Sequence, residues 1–553
     1  MPIDLQMQPW RPVPRPPAQT SVWMTEALAS EQALPPDPLQ ESVSADICIV
    51  GGGFTAFWTA LRVLEQAPSL SITIVEAGLC GQGASGRNSG AIGHWWGRLP
   101  TLVRLLGKND ALQVLRASVD ILEDIRSFVT AHAIDCDLRL ERSVWSTTYP
   151  AQAGAWLPMF KAAEAAGVAP PHRPLLAADM RALFGDAPYY QGVAEDGALR
   201  VQPAKLLRAL RRLAMERGVR VHEASPVTRI TGEAAHVCVR TAHGSVRAGK
   251  VLLAANAWMA HLPEIRPFVA VTSSDLVVTA PIPKLLKERG LLKRPGGINS
   301  RMMLNYGSLT PDGRVYLGRG GGSIAWGNRV GPDFDFSARM TAEVEQDFRY
   351  LYPELRDVPI AAAWSGPIDR STTGLPWFGR MAADPRVHYA VGYSGHGMGA
   401  SALGGRVLAS QLLERDDAWV ALGALLARAR SGWYPPEPIR FGAAHAIRGA
   451  VARRDVALHH GRTPSLLDAR LAAMAMSSLP DRLRFGSGPE CVTSPSSSTY
   501  RIQPHDTSIR PQRHRPGLDA DCPGARHRQY AGAHGSGAAA VPTREVEGRA
   551  RHL

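Results

Sequence analysis

The chain has 553 residues, 45% of them hydrophobic and 20% charged, with 53 glycines and a formal net charge of +13. That length supports two or more lobes around a large core, and the absence of any run near eighteen apolar residues argues against a transmembrane helix. The basic residues are mostly dispersed arginines without a dense patch, so no nucleic-acid partner is expected.

In chain order, residues 1–43 form a proline-rich lead-in without the apolar stretch of a secretory signal, and read as an extended arm. Next come DICIV (46–50), FWTALRVLEQ (57–66) and SITIVEA (71–77). Strand, helix and strand within about thirty residues is the unit of a parallel sheet. Across its first turn runs Gly51-x-Gly53-x-x-Ala56. The first glycine makes the tight turn, the second admits a pyrophosphate, and Ala56 lets helix and strand pack closely. The helix start adds free N–H groups and a positive dipole end. Glu76 closes the second strand, where an acid takes ribose hydroxyls and repels a 2′-phosphate. The expectation is a dinucleotide other than NADP.

GASGRNSG (83–90) follows the acid directly, and GAIGHWWGR places His94, Trp95 and Trp96 just beyond it. Residues 203–227 read as helix, glycine stop and strand, and KVLLAANAW (250–258) as a buried strand. Between about 267 and 363 the strands DLVVTAPI, SRMMLNYGSL and GRVYLGR, with a Pro-Asp-Gly turn at 311–313, predict an antiparallel sheet. A short apolar run, VHYAV, then leads into GYSGHGMGASALGG (392–405), in which six of fourteen residues are glycine. Glycine is a poor helix starter, so its density there demands a reason. Residues 437–461 give a basic helix, expected either to pack on the first domain or to touch an acidic membrane surface, with packing preferred. Beyond Met476 the chain turns rich in Ser, Pro, Arg and His, which predicts a disordered tail of the kind a frameshift or read-through leaves. The six cysteines show no C-x-x-C spacing, so no metal is expected and a reducing cytoplasm is the expected location.

Taken in order, SVWMTEAL, GGGFTA, GASGRNSG, LRVQPAKLLRAL, EASPV, LLAANAW, WSGPIDRSTTGLPWFG and GYSGHGMG cover most of 21–475. Their succession resembles the D-amino-acid-oxidase and glycine-oxidase-like (DAO) family of FAD-dependent amine and amino-acid oxidoreductases, most of all its gamma-glutamylputrescine oxidase branch. The resemblance implies an α/β fold: a discontinuous doubly wound, glutathione-reductase-type FAD domain (44–125, 191–262, 363–432) and an antiparallel substrate lobe (126–190, 263–362), followed by C-terminal helices at 433–476 and the tail 477–553.

It also implies cofactor contacts at Gly51, Gly53, Ala56, Glu76, Ala84, Ser85, Arg87, Asn88, Gly395, Gly397 and Met398, with the backbone of Val227 beside the adenine. FAD is expected to be noncovalent, with His94 the one alternative attachment point. Gly395 and Gly397 would bring a helix start to the flavin ring to stabilise negative charge at N1, whereas Gly404 and Gly405 would serve packing on the first helix. His396 and Tyr306 are the catalytic candidates, and Arg319, Trp326, Trp364, Asp369, His94, Trp95 and Trp96 complete a candidate substrate wall. The implied reaction is oxidation of a C–N bond of an amine or amino acid by hydride transfer to flavin N5, imine hydrolysis and reoxidation by oxygen with peroxide release, a gamma-glutamylputrescine-like amine being one candidate substrate. A dehydrogenase feeding a quinone or carrier protein, an NAD enzyme and a non-catalytic flavin binder stay open as alternatives.

Overall fold

Strand, helix and strand form where the apolar pattern places them, as Ser42–Val50, Phe54–Gln66 and Ile72–Val75. In the computed structural model, which describes residues 3–10, 13–31 and 35–475, these open the first of two nine-stranded sheets. Ser42–Val50 pairs in parallel with Ile72–Val75 and Ser245–Leu253, Ile72–Val75 with Arg220–His222, and Ser245–Leu253 with Asp384–Val391. A parallel sheet must be covered on both faces, and the alternation along Ser42–Val50 divides accordingly. Ile47 and Ile49 enter the core shared with helices Phe54–Gln66, Pro203–Glu216 and Gly397–Leu412. Cys48 and Val50 enter a second core on the opposite face.

The second sheet is antiparallel except where Gly296–Asn299 runs parallel to Arg139–Ser146. Its membership corrects the expected segment boundaries at three places. Ala91–Ile92 pairs with Gly192–Arg200, which in turn pairs with Arg139–Ser146, so both strands lie in the second sheet. Ile360–Ser371 pairs along its length with Val269–Thr279, carrying that sheet past residue 363. Hydrophobic alternation reports that a strand has a buried face but not which neighbour completes it, and these strands sit where the chain crosses between sheets.

The N-terminal segment is not simply extended. Asp4–Gln6 adds an edge strand against Arg229–Gly232, and Val22–Ser30 is a helix wedged beside Pro203–Glu216. Trp23 meets Tyr316 and Trp364 edge-on at 5.7 and 5.5 Å. Glu31 and Glu223 share the buried guanidinium of Arg208. The basic helix Ile439–His459 packs, but on the second lobe rather than the first domain: Arg448 reaches Glu343 and the Gly321 carbonyl, and Asp455 accepts from Tyr149. Among the described residues no helix is long and apolar enough to cross a membrane. The expectations for 477–553 lie outside the described residues.

Helices Gly397–Leu412 and Phe54–Gln66 are in close contact because the former carries glycine at the crossing. A Cβ on Gly405 would stand 2.6 Å from Trp58 Cβ, and one on Gly404 2.5 Å from the Phe378 ring. Gly405→Ala is therefore expected to destabilise the protein by about 1–3 kcal/mol through overpacking, read as a lowered denaturation midpoint in urea.

Candidate functional site

The first glycine loop has two distinct jobs. Gly51 takes φ +107°, and a Cβ there would lie 2.8 Å from the Ala254 carbonyl, so its need for glycine comes from strand approach. Gly53 caps the helix without a side-chain partner, and a Cβ on it would touch only Ser85 Oγ, at 3.0 Å. The space above the helix start is thus open, with Ser85 at its rim accepting the Phe54 amide at 3.1 Å. No other described residue accepts from the amides of Gly53, Thr55 or Ala56. Ala56 itself is fully buried. Glu76 stands beside this opening, held by the Gly52 and Gly78 amides at 2.6 and 2.9 Å. Burial raises its pKa against the pull of those two donors.

Within residues 83–90 the side chains build the loop. Asn88 donates to the Ala84 and Ser85 carbonyls and accepts from the Gly90 amide, closing the short turn Ala84–Gly86. Arg87 spans the two lobes: its guanidinium donates to the carbonyls of Gln82, Phe334 and Ser365 and pairs with Asp335 at 2.6 Å. Val227 is buried beside Val75 and Val50 in the second core, and no described residue engages its backbone N–H or carbonyl.

The second glycine-led helix begins beside the first. Thr55 Oγ1 and Tyr393 Oη share a hydrogen bond of 2.6 Å, joining the two helix starts. Gly395 takes φ +84° with only Ile368 Cδ1 near its absent Cβ, at 3.4 Å, and Gly397 has nothing nearer than Tyr393 Cβ, at 3.8 Å. Protein packing does not call for glycine at either position. Met398 is buried in the first helix turn. His396 caps this helix with its backbone only and is exposed, and its pKa is lowered to about 4 by partial desolvation and by Arg98 and Arg370.

Most of the proposed substrate wall is engaged elsewhere. Tyr306 donates or accepts at Ser274 Oγ, 2.8 Å away, and lies flat against Gly318. Burial pushes its phenol up, away from service as a base. Arg319 pairs with Asp347 and Glu343, Trp364 donates to the Arg87 carbonyl, and Trp326 meets Phe441 of the C-terminal helix. Asp369 accepts the Gly392 amide at 2.5 Å and so anchors the glycine loop; burial raises it to about 6. Trp95 and Trp96 are buried. His94 uses both ring nitrogens, Nε2 with Glu195 at 2.7 Å and Nδ1 with the Trp96 amide at 3.4 Å.

The residue that sequence reasoning missed is Arg98. It has no hydrogen bond or ion pair to its guanidinium among the described residues, and burial with Arg370 nearby lowers it to about 10. Its one sequence signal was position, four residues past His94 in the segment that follows GASGRNSG. Together these features fit a dinucleotide: an open helix start for phosphates, an acid for ribose, the free backbone edge of Val227 for a base, and a second open helix start for a ring.

Comparison with known proteins agrees. Residues 46–411 match the family described as DAO, FAD dependent oxidoreductase. The chain is 28% identical to the gamma-glutamylputrescine oxidoreductase of Escherichia coli (strain K12) over 411 residues, covering 72% of this chain and 91% of that protein. It is 25% identical to the probable oxidoreductase OrdL of Haemophilus influenzae over 394 residues, covering 69% and 85%. Its fold superposes on glycine oxidase from Geobacillus kaustophilus with a TM-score of 0.55 at 20% identity, over 68% of this chain and 96% of the other.

Two substitutions separate the roles of these residues. Gly397→Ala meets no protein atom within 3.8 Å, so the denaturation midpoint of the cofactor-free chain should hold to about 0.5 kcal/mol while FAD affinity, read by flavin fluorescence, falls. Asp369 has a native pKa raised above its unfolded value, so the native state keeps its proton longer. Its contribution to stability therefore declines as pH rises from about 4 to about 6, with a slope of at most about 1.4 kcal/mol per pH unit. Asp369→Asn should remove that slope; the difference between the two stability–pH curves isolates it from Asp275, which burial raises in the same way.

Proposed function

The chain belongs to the DAO family of FAD-dependent oxidoreductases, and from that premise we propose that it oxidises the C–N bond of an amine whose other end carries a carboxylate, with gamma-glutamyl amines the first candidates. The observation that carries this reading is Arg98, a half-buried cation with no ion-pair partner among the described residues, beside the histidine that opens the glycine-led helix. A partly desolvated cation gains charge-assisted hydrogen bonds from a carboxylate arriving with the substrate.

FAD, when bound, supplies the two-electron oxidant. The chain supplies position and field. Gly53, Ser85 and the first helix start would hold the phosphates, Glu76 the ribose, and the backbone of Val227 the adenine. The amides at Gly397 and Met398, with the positive end of their helix, would stabilise negative charge on the ring. His396, exposed beside the second helix start, shapes the entrance, and Arg98 orients the substrate by its anionic end. The amine binds unprotonated, so no side chain acts as a general base, and the imine product hydrolyses in water. His94, with both nitrogens engaged, favours noncovalent FAD, which acid precipitation should leave in solution.

The test is a bleaching screen of the purified yellow protein with gamma-glutamyl amines, polyamines, N-methyl amino acids and D-amino acids, followed by peroxide measurement in air. Reduction by a carboxylate-bearing amine is expected, and Arg98→Met should weaken that substrate by about 10- to 100-fold, the value of a hydrogen bond to a charged group. Bleaching by D-lactate or glycerol phosphate alone overturns the C–N assignment. Bleaching without peroxide assigns the electrons to a quinone or carrier protein instead.

A further inference from the structure

His94, His172 and Glu195 come from three separate stretches of chain, yet one ligand atom from each lies within 4.8 Å of the others. The second sheet brings them together. Glu195 sits on Gly192–Arg200, whose pairing with Ala91–Ile92 delivers His94 just beyond that strand. Pairing of Arg173–Leu175 with the same strand delivers His172 immediately before it. All three side chains are largely buried, at 9%, 11% and 18% exposure for His94, His172 and Glu195.

As a hydrogen-bonded cluster the arrangement is incomplete. His94 Nε2 meets Glu195 Oε1 at 2.7 Å, but His172 Nε2 stands 3.9 Å from Oε2, too far to hydrogen-bond. The other nitrogen of His172, Nδ1, is buried with no partner. No arginine or lysine pairs with Glu195 among the described residues. Two imidazole nitrogens and one carboxylate are the donor set of zinc-class sites that keep an open position. Tetrahedral bonds of about 2.1 Å put ligand atoms about 3.4 Å apart, and the two observed separations straddle that value. Magnesium and calcium, which prefer all-oxygen shells, fit poorly.

We propose that His94, His172 and Glu195 bind one divalent cation of the zinc class, with water completing the shell. The expectation of no metal rested on cysteine spacing and could not register ligands assembled by strand pairing. The ion acts as a staple, fixing residue 94 and the loop that runs on to Arg98 against the second sheet. Gly93, the neighbouring residue, has its carbonyl 3.0 Å from where a Cβ on Gly399 would lie, so the staple also borders the glycine-led helix. The inference is independent of the substrate reading.

The test uses the full-length, flavin-loaded protein after chelator treatment. Calorimetric titration with Zn2+ should give one equivalent bound and a melting temperature that rises with zinc concentration, and Co2+ should give the visible absorption of a low-coordinate nitrogen–oxygen site. Glu195→Gln and His172→Ala should each weaken zinc binding by more than about 100-fold, since loss of even an outer-shell partner costs 10- to 100-fold. Flavin content and zinc-free melting of each variant report whether it has folded, and the wild-type cobalt spectrum needs no variant. Absence of stoichiometric uptake, or uptake unchanged in both variants, overturns the site and leaves a His94–Glu195 hydrogen-bonded pair beside an unligated histidine.

Discussion

Everything else in the molecule is arranged so that two helix starts, more than three hundred residues apart in sequence, can open side by side. The Thr55–Tyr393 hydrogen bond fixes their separation, and Gly404 and Gly405 let the second helix lie against its neighbours without an intervening Cβ. A helix start with unsatisfied amides is costly inside a protein unless something negative or hydrogen-bonding arrives to meet it. Both starts are left open here, which makes ligand binding part of the fold's own electrostatic accounting.

The sequence made part of this legible because glycine spacing and hydrophobic period are local properties. The turn at Gly51, the alternation that sends Ile47 and Ile49 to one face, and the distinction between Gly397 and Gly405 could all be read from order and position. Side-chain partners were not legible. Arg87 and Arg319 sit in segments suited to ligand contact, yet acids far along the chain, Asp335 and Asp347, engage them. Arg98 is the converse: it looked ordinary because the absence of a counter-charge among the described residues is a property of three-dimensional surroundings. Gly192–Arg200, expected within the FAD-binding segment 191–262, pairs in the second sheet for the same reason, its partner being decided by register rather than composition.

The charge excess also looks different in the fold. Many arginines are struts rather than a basic face. Arg208 draws Glu31 and Glu223 together, and Arg294 lies 4.1 Å over the Tyr352 ring while pairing with Glu354. Such planar, multiply bonded guanidiniums suit buried junctions better than lysine would. They explain an arginine-rich composition without invoking a polyanionic partner.

The edge strand Asp4–Gln6 hydrogen-bonds to Arg229–Gly232, joining nearly the first described residues to a segment made much later. At ribosomal speeds of 5–20 residues per second, its partner emerges roughly 10 to 50 seconds after it does. Throughout that interval an unpaired strand, followed by an apolar helix with no surface yet to dock on, is exposed to the crowded cell. The order of synthesis thus leaves this edge unpaired until residues 229–232 have emerged, an exposure that the finished fold, with that edge closed, no longer displays.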